Sequence, residues 1–241
     1  MIRLLSIFAA LLCVAAPARA AGIVSFGWDG CTGPLSRTVL PGQRPALYAS
    51  VIGQAEAHRG YQLRVVVGPS CANPGGSFPD AWRFEDGGCQ PSGAVTIDHV
   101  APAEVAASCP SFKPASMSAY IIKNYEYDAV LGRATMNLAI IGADDVAVPV
   151  DPAVRYFLGR FVFDQGHGIV GPSAAGLCGG LETPMCFKVT DLYWLNAAAD
   201  GMTWQTDTPC LTVNDPAGTS GCNLPTPARA TTWGAIRGQY R

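Results

Sequence analysis

The 241-residue chain is 49% hydrophobic and 14% charged, with a net charge of −2. Abundant apolar residues and few charges argue against intrinsic disorder. The sequence has no basic stripe, so nucleic acid is not an expected partner.

The first 20 residues have the three parts of a secretory signal. Arg3 provides a positive start, residues 4–16 form an apolar run, and Ala18-Arg19-Ala20 ends it with small residues. That run is too short to span a bilayer. We expect a signal peptide over 1–20 and a secreted, periplasmic or cell-surface domain over 21–241, without a transmembrane segment. The alternative, a lipoprotein signal using Cys13, is disfavoured because Leu12 is not small.

Period-two patterns then predict strands along most of the chain. In chain order, the residues predicted to share one face of a strand are Val24, Phe26 and Trp28; Leu47, Ala49 and Val51; Tyr61, Leu63, Val65 and Val67; Met136, Leu138 and Ile140; Phe157, Phe161 and Phe163 around Gly159; and Phe187 and Val189. Such alternation is typical of half-buried strands, and turn residues cluster between them. A helical turn is predicted over residues 102–107. The fold class is therefore an all-β, antiparallel β-sandwich, jelly-roll or Ig-like, in a single domain.

The C-terminus is predicted to form a short helix over about 231–240. Thr231 and Thr232 can cap it, and Trp233, Ile236 and Tyr240 then share one face. We expect this face to dock on the sandwich, because so short a helix is not stable alone in water. The alternative is a free tag that is read by an envelope partner.

Eight cysteines remain after residues 1–20 and predict a set of disulfides: Cys31, Cys71, Cys89, Cys109, Cys178, Cys186, Cys210 and Cys222. Sequence alone allows 105 connectivities. The most local one joins Cys178–Cys186, Cys210–Cys222, Cys89–Cys109 and Cys31–Cys71. The sequence has no Cys-x-x-Cys pair, and its three histidines are far from one another in the chain. We therefore expect neither a metal nor another cofactor.

Four segments resemble successive strands of the cohesin family of carbohydrate-binding-like β-sandwiches. They are residues 60–67, 134–140, 156–163 and 186–196, and the resemblance covers about 45–204. It implies a jelly-roll module that binds a protein or carbohydrate. The eight cysteines and the 68–79 loop depart from the family, so recognition of a dockerin specifically is not expected. Residues 231–241 also resemble the ending of uncharacterised exported bacterial proteins.

An enzyme is the rival class of function. His58, Asp128 and Ser220 lie in the order of a chymotrypsin-like serine hydrolase, as base, orienting acid and nucleophile. Ser220 lacks the Asp expected before it, and only 21 residues follow it. The simpler interpretation is a histidine at a strand end, a surface aspartate and a serine in a turn.

The remaining candidates are each more typical of structure than of chemistry. His167 lies in a Gly-rich turn, and the acidic pairs Glu85-Asp86 and Asp144-Asp145 lie in turns. Trp28, Trp82, Trp194 and Trp204, with Tyr120, Tyr125 and Tyr127, could form a surface on which sugars stack, but large aromatic residues of a sandwich are mostly core. The sequence thus predicts a non-enzymatic binding or structural module, whose partner is a polysaccharide or another envelope protein.

Overall fold

A computed structural model describes residues 22–69, 77–91, 93–113, 119–142, 146–208 and 210–215. In chain order the strands are β1 (Ile23–Trp28), β2 (Ser36–Arg37), β3 (Ala46–Ile52), β4 (His58–Pro69), β5 (Val95–Asp98), β6 (Ala119–Asp128), β7 (Arg133–Gly142), β8 (Tyr156–Phe163), β9 (Met185–Asn196), β10 (Gly201–Thr203), β11 (Gln205–Thr206) and β12 (Cys210–Val213). Two short helical segments accompany these strands: a 3-10 turn (Asp80–Trp82) and one α-helical turn, α1 (Ala103–Ala106), which follows Pro102 and confirms the turn predicted there.

The strands form two sheets. The smaller has five strands in the order β11-β1-β3-β8-β5. The larger has the order β2-β12-β9-β4-β7-β6, and β10 pairs with β9. Most pairs are antiparallel, and the inner faces of both sheets contribute to one hydrophobic cluster. The predicted all-β sandwich is confirmed. None of the described helices is long and apolar enough to cross a membrane.

The core is built from the alternate residues that the sequence pattern assigned to buried faces. Val24, Phe26 and Trp28 of β1 are at most 2% exposed. Tyr61, Leu63, Val65 and Val67 of β4 are fully buried, as are Met136, Leu138 and Ile140 of β7. The hydroxyl of Tyr61 donates to the carbonyl of Leu158 in the opposite sheet, so the apolar layer also satisfies its polar atom.

One strand face was predicted wrongly. Phe161 and Phe163 point into the core, but Phe157 lies on the outer side of β8, against Tyr48 at 6.0 Å between ring centroids. The reason is a β-bulge: Ala49 pairs with Gly159, whereas Ser50 pairs with Phe157, which leaves Leu158 as an extra residue. An extra residue exchanges the two faces for everything before it in the strand.

The disulfides are less local than predicted. Cys31 is joined to Cys109 across 78 residues, and Cys89 to Cys178 across 89 residues. The predicted pairs Cys31–Cys71, Cys89–Cys109 and Cys178–Cys186 are therefore wrong, because proximity in a sandwich is set by strand order and not by distance along the chain. Cys186 and Cys210 are disulfide-bonded as well. Cys222, and with it the predicted Cys210–Cys222 pair, lies outside the described residues.

Removing the Cys31–Cys109 bond should destabilise the fold. A loop of this length is expected to contribute roughly 2–5 kcal/mol through the entropy of the unfolded chain. The double variant Cys31→Ala, Cys109→Ala should therefore lower the free energy of unfolding by that amount in a urea titration. The matched variant Ser108→Ala, an exposed position beside Cys109, should change it by less than about 0.5 kcal/mol. Equal stability of the double variant and the native chain would contradict the assigned bond.

Candidate functional site

The outer face of the larger sheet carries a row of polar side chains across four neighbouring strands. Asp191 of β9, Arg64 of β4, Asn137 of β7 and Asn124 of β6 stand directly opposite one another in the strand register. They are linked in series. Arg64 contacts Asp191 at 3.2 Å and donates to Asn137 at 2.9 Å, Asn137 donates to Asn124 at 2.8 Å, and Asn124 donates to Glu126 at 2.6 Å.

This polar row is held in place before any partner arrives. Each amide or guanidinium group has its orientation fixed by the next, and the side chains of Arg64 and Asp191 are only 17% and 14% exposed. Fixed groups lose little side-chain entropy on binding, which favours recognition over a surface of free side chains. The row follows from period two: on β4, the odd residues from 61 to 67 fill the core, so Arg64 must face outward.

An apolar corner lies beside the polar row, toward the start of β4. Tyr120 and Ile122 of β6 share the outer face with Ile141 of β7 and Tyr193 of β9. Tyr120, near the start of the edge strand β6, is 70% exposed, which is high for a large aromatic residue. A flat polar row bordered by an exposed aromatic side chain has the character of a protein-binding surface.

The larger sheet separates two members of the predicted catalytic triad. His58 is the first residue of β4, and Asp128 is the last residue of β6. In the strand register Asp128 lies level with Gly68, which is ten residues after His58 along β4. At about 3.3 Å per residue the two lie roughly 33 Å apart. Asp128 instead accepts hydrogen bonds from the backbone of Val130 and Leu131 in the turn. A chymotrypsin-like site with this base and this acid is therefore wrong, and Ser220 lies outside the described residues.

His58 is a core residue. It is fully buried, and its ring stacks on Phe112 with 3.5 Å between centroids. Neither ring nitrogen has a hydrogen-bond partner. Burial, and then the positive charge of Lys113, lower the pKa of His58 to about 3, so the ring is neutral at neutral pH. A base this deeply buried has no access to a substrate.

The four tryptophans that the structure describes form no exposed surface on which sugars could stack. Trp28, Trp82, Trp194 and Trp204 are each at most 3% exposed. Tyr125 donates its hydroxyl to the carbonyl of Trp82, and Tyr127 packs on Phe78 and under Arg83. Of the aromatic residues considered from the sequence, Tyr120 alone is well exposed among those that the structure describes. The hypothesis of sugar stacking on these tryptophans is wrong.

The other polar candidates are engaged in local contacts. Glu85 pairs with Arg83 at 2.6 Å, and the hydrogen bond that Arg83 donates to Glu85 raises the pKa of Arg83. His167 lies 3.0 Å from the carbonyl of Gly176. Asp144 and Asp145 lie outside the described residues, as do Trp233, Ile236 and Tyr240. Within the described ranges, no three His, Cys, Asp or Glu side chains are grouped to hold a metal.

A groove of about 360 Å³ lies on the outer face of the smaller sheet. Arg160 spans it and donates to Asp98 at 2.9 Å and to Glu104 at 3.1 Å. Arg44, on its rim, contacts Asp164 at 3.3 Å. Because Arg160 bridges the two carboxylates, they cannot act as the separated acid and base of a glycosidase.

Sequence reasoning missed the polar row of the larger sheet. Its members lie on four different strands, with Arg64 73 positions from Asn137 and 127 positions from Asp191, and they are ordinary in composition. Their even spacing on outward positions of neighbouring strands was the available signal. It becomes informative only when the register of the strands is known.

Comparison with known proteins gives similarity in structure only. No protein-family model matches the chain, and no curated protein matches it in sequence. A type II cohesin domain from the cellulosome of Acetivibrio cellulolyticus is 8% identical, with a TM-score of 0.45, covering 81% of this chain and 96% of that one. Type II cohesin A11 from Bacteroides cellulosolvens is 10% identical, with a TM-score of 0.40, covering 78% and 96%. A non-cellulosomal cohesin from the archaeon Archaeoglobus fulgidus is 6% identical, with a TM-score of 0.33, covering 80% and 90%.

These structures belong to the family that the strand pattern resembles, so that resemblance is confirmed. Because the TM-scores are below 0.5 and the identities are 10% or less, the similarity carries no argument about partner or activity.

The buried His58 should make the fold sensitive to acid. Its pKa of about 3 in the folded chain is below the ordinary value of 6.5, so the unfolded chain takes up a proton first as the pH falls. The stability that this group contributes is complete above pH 6.5 and is lost between about 6.5 and 3. From pH 8 to pH 5 the loss should be about 2 kcal/mol at most, measured by urea unfolding. His58→Leu should lack this part of the loss, and an equal loss in both proteins would contradict the assignment.

Proposed function

We propose that this chain is an extracytoplasmic, non-enzymatic module that binds a protein partner through the outer face of its larger sheet. The observation that carries the proposal is the hydrogen-bonded row from Asp191 to Glu126, with the exposed Tyr120 beside it. We define the partner face as the polar row together with the apolar corner beside it, which consists of Tyr120, Ile122, Ile141 and Tyr193.

A protein suits the partner face better than a polysaccharide does. Polysaccharides are bound mainly by stacking on exposed aromatic rings, and the four described tryptophans are all in the core. The partner face is instead flat and mixed, with charged and amide groups at its centre and an aromatic residue at one side. Interfaces between proteins commonly combine such polar groups with a few aromatic or arginine residues that supply most of the binding energy.

Enzymatic activity is not supported by the site chemistry. His58 is buried and neutral, Asp128 serves a turn, and Arg160 occupies the space between two acids of the smaller sheet. The polar row itself contains no nucleophile with a neighbouring base. Its groups form hydrogen bonds and ion pairs, which is chemistry for binding.

The extracytoplasmic setting rests on the disulfides and on the sequence of residues 1–20. Two bonds close loops of 78 and 89 residues, and such bonds persist in oxidising compartments. The positive, apolar and small-residue parts of residues 1–20 supply the matching route of export.

The proposal is tested with Tyr120→Ala. We expect a protein partner to be captured by the immobilised module from the secreted or envelope fraction of the cells that produce it, and its affinity to be measured after purification. Loss of a large exposed aromatic residue at the interface should weaken binding at least about tenfold, which corresponds to about 1.4 kcal/mol. Glu126→Gln should weaken it less, because that residue ends the polar row.

Val170→Ala is the matched control, since Val170 is also strongly exposed, at 62%, but lies in a loop outside the partner face. It should leave the affinity unchanged. Equal affinities of Tyr120→Ala and the native module would refute the partner face. Binding to purified polysaccharide that Tyr120→Ala does not alter would refute the choice of a protein as partner.

A further inference from the structure

Two cysteines mark a distinct corner of the larger sheet. Cys186 of β9 and Cys210 of β12 face outward, on the side opposite Phe187 and Leu211, which are fully buried in the core. They cluster there with Val66 of β4. We call Val66, Cys186 and Cys210 the cysteine corner; it lies at the far end of β4 from the apolar corner.

Cys186 and Cys210 are both in disulfides, but the register keeps them from bonding to each other. Cys186 stands opposite Thr212, and Cys210 stands opposite Lys188, so the two cysteines are offset by two residues. Diagonal positions in an antiparallel pair are about 7–8 Å apart, which is beyond the usual reach of a disulfide. The other four described cysteines are joined as Cys31–Cys109 and Cys89–Cys178.

If residues 1–20 are removed as a signal peptide, Cys71 and Cys222 are the two cysteines left to pair with those of the cysteine corner. Gly68 stands beside Cys186 in the register, and Cys71 follows only three residues later, which favours Cys71 as the partner of Cys186. Cys222 is then left for Cys210. Cys222 comes seven residues after Asp215, a reach of about 23 Å, and Cys210 lies five residues back along the strand, about 17 Å.

The cysteine corner is also more buried than an outward face of a sheet normally is. Val66 and Cys186 are completely inaccessible to solvent, and Cys210 is 6% exposed. In contrast, Arg64, the next outward residue of β4, remains partly exposed. Complete burial of an outward valine is consistent with cover from the segments that carry the two partner cysteines.

We propose that residues 216–241 are fastened to this corner through Cys222 and pack over it, with Trp233, Ile236 and Tyr240 as the contacting side chains. In the helix that the sequence predicts over about 231–240, these three residues would share one face, and left exposed they would form an unfavourable apolar patch. This C-terminal segment then borders the partner face on the side of β12 and limits the surface that an external partner can reach. Docking of the segment does not rest on the proposed function, since it is measured without any partner.

Disulfide mapping tests the covalent step. The exported protein is digested without reduction, and the linked peptides are identified by mass spectrometry. A peptide that joins Cys222 to Cys210 is expected, and a link to Cys186 would equally fasten the segment to the corner. A free Cys222, or a Cys222–Cys71 bond, would overturn the proposal.

Acrylamide quenching of tryptophan fluorescence tests the docking. The four described tryptophans are at most 3% exposed, so Trp233 is the residue whose accessibility the experiment can detect. If the segment is docked, the native protein and Trp233→Phe should be quenched equally weakly. An easily quenched component in the native protein that disappears in Trp233→Phe would overturn the docking.

The place of docking is tested with Val66→Thr, which keeps the shape of the side chain and makes it polar. Quenching should increase at least twofold in this variant, and the increase should be absent when Trp233→Phe is added. Val130→Thr, at a position that is 94% exposed in the β6–β7 turn, is the matched control and should behave like the native protein. No increase in Val66→Thr would show that the segment does not pack on this corner.

Discussion

Aromatic packing between the two sheets is the interaction on which the rest of the structure depends. Trp28 and Phe163 of the smaller sheet meet Phe187 of the larger sheet, with ring centroids 5.0–6.4 Å apart, and Trp82 packs at 5.6 Å against both phenylalanines. Most of these contacts are edge-on or tilted, which is the preferred geometry for aromatic pairs. They fix the separation of the sheets and the face that each strand turns inward.

This use of the aromatic residues determines what is left for the surface. With the described tryptophans buried, the outer face of the larger sheet carries mainly polar, small and aliphatic residues, and Tyr120 is its most exposed aromatic residue among those described. A surface of this kind recognises a partner by matched hydrogen bonds and charges more than by apolar burial. Its central polar row is also largely satisfied internally, so the free module can expose it without a tendency to aggregate.

Strand β4 connects the core to the partner face. It pairs with β9 on one side and with β7 on the other over nearly its whole length. Its inward residues pack against the smaller sheet, and Gln62, Arg64 and Val66 face outward. The same strand therefore aligns the polar row and the cysteine corner, and a change of register in β4 would disrupt both together.

The strand faces could be predicted from sequence because the period of two is a local property. Tyr61 to Val67 and Met136 to Ile140 are examples in which every predicted inward residue is buried. Phe157 could not be placed, because the bulge at Leu158 follows from pairing with β3. The same holds for the disulfides: Cys89 and Cys178 are 89 residues apart, and only the assembled strand order brings them together.

The candidate site was beyond sequence reasoning for a related reason. Arg64, Asn137 and Asn124 are unremarkable where they stand in the chain, and each pattern considered for chemistry was a local one. His58 drew attention as a histidine, yet its stacking on Phe112 depends on a residue 54 positions away. What a side chain does in this fold is set by its neighbours across strands.

Site-specific photo-crosslinking can show whether a protein partner binds at the partner face. A photoreactive phenylalanine analogue is placed either at Tyr120 on the partner face or at Thr96, an exposed position on the smaller sheet, in the cells that produce the protein. We expect a discrete crosslinked protein partner from position 120 and none from position 96. A partner that crosslinks from position 96 alone would contradict it.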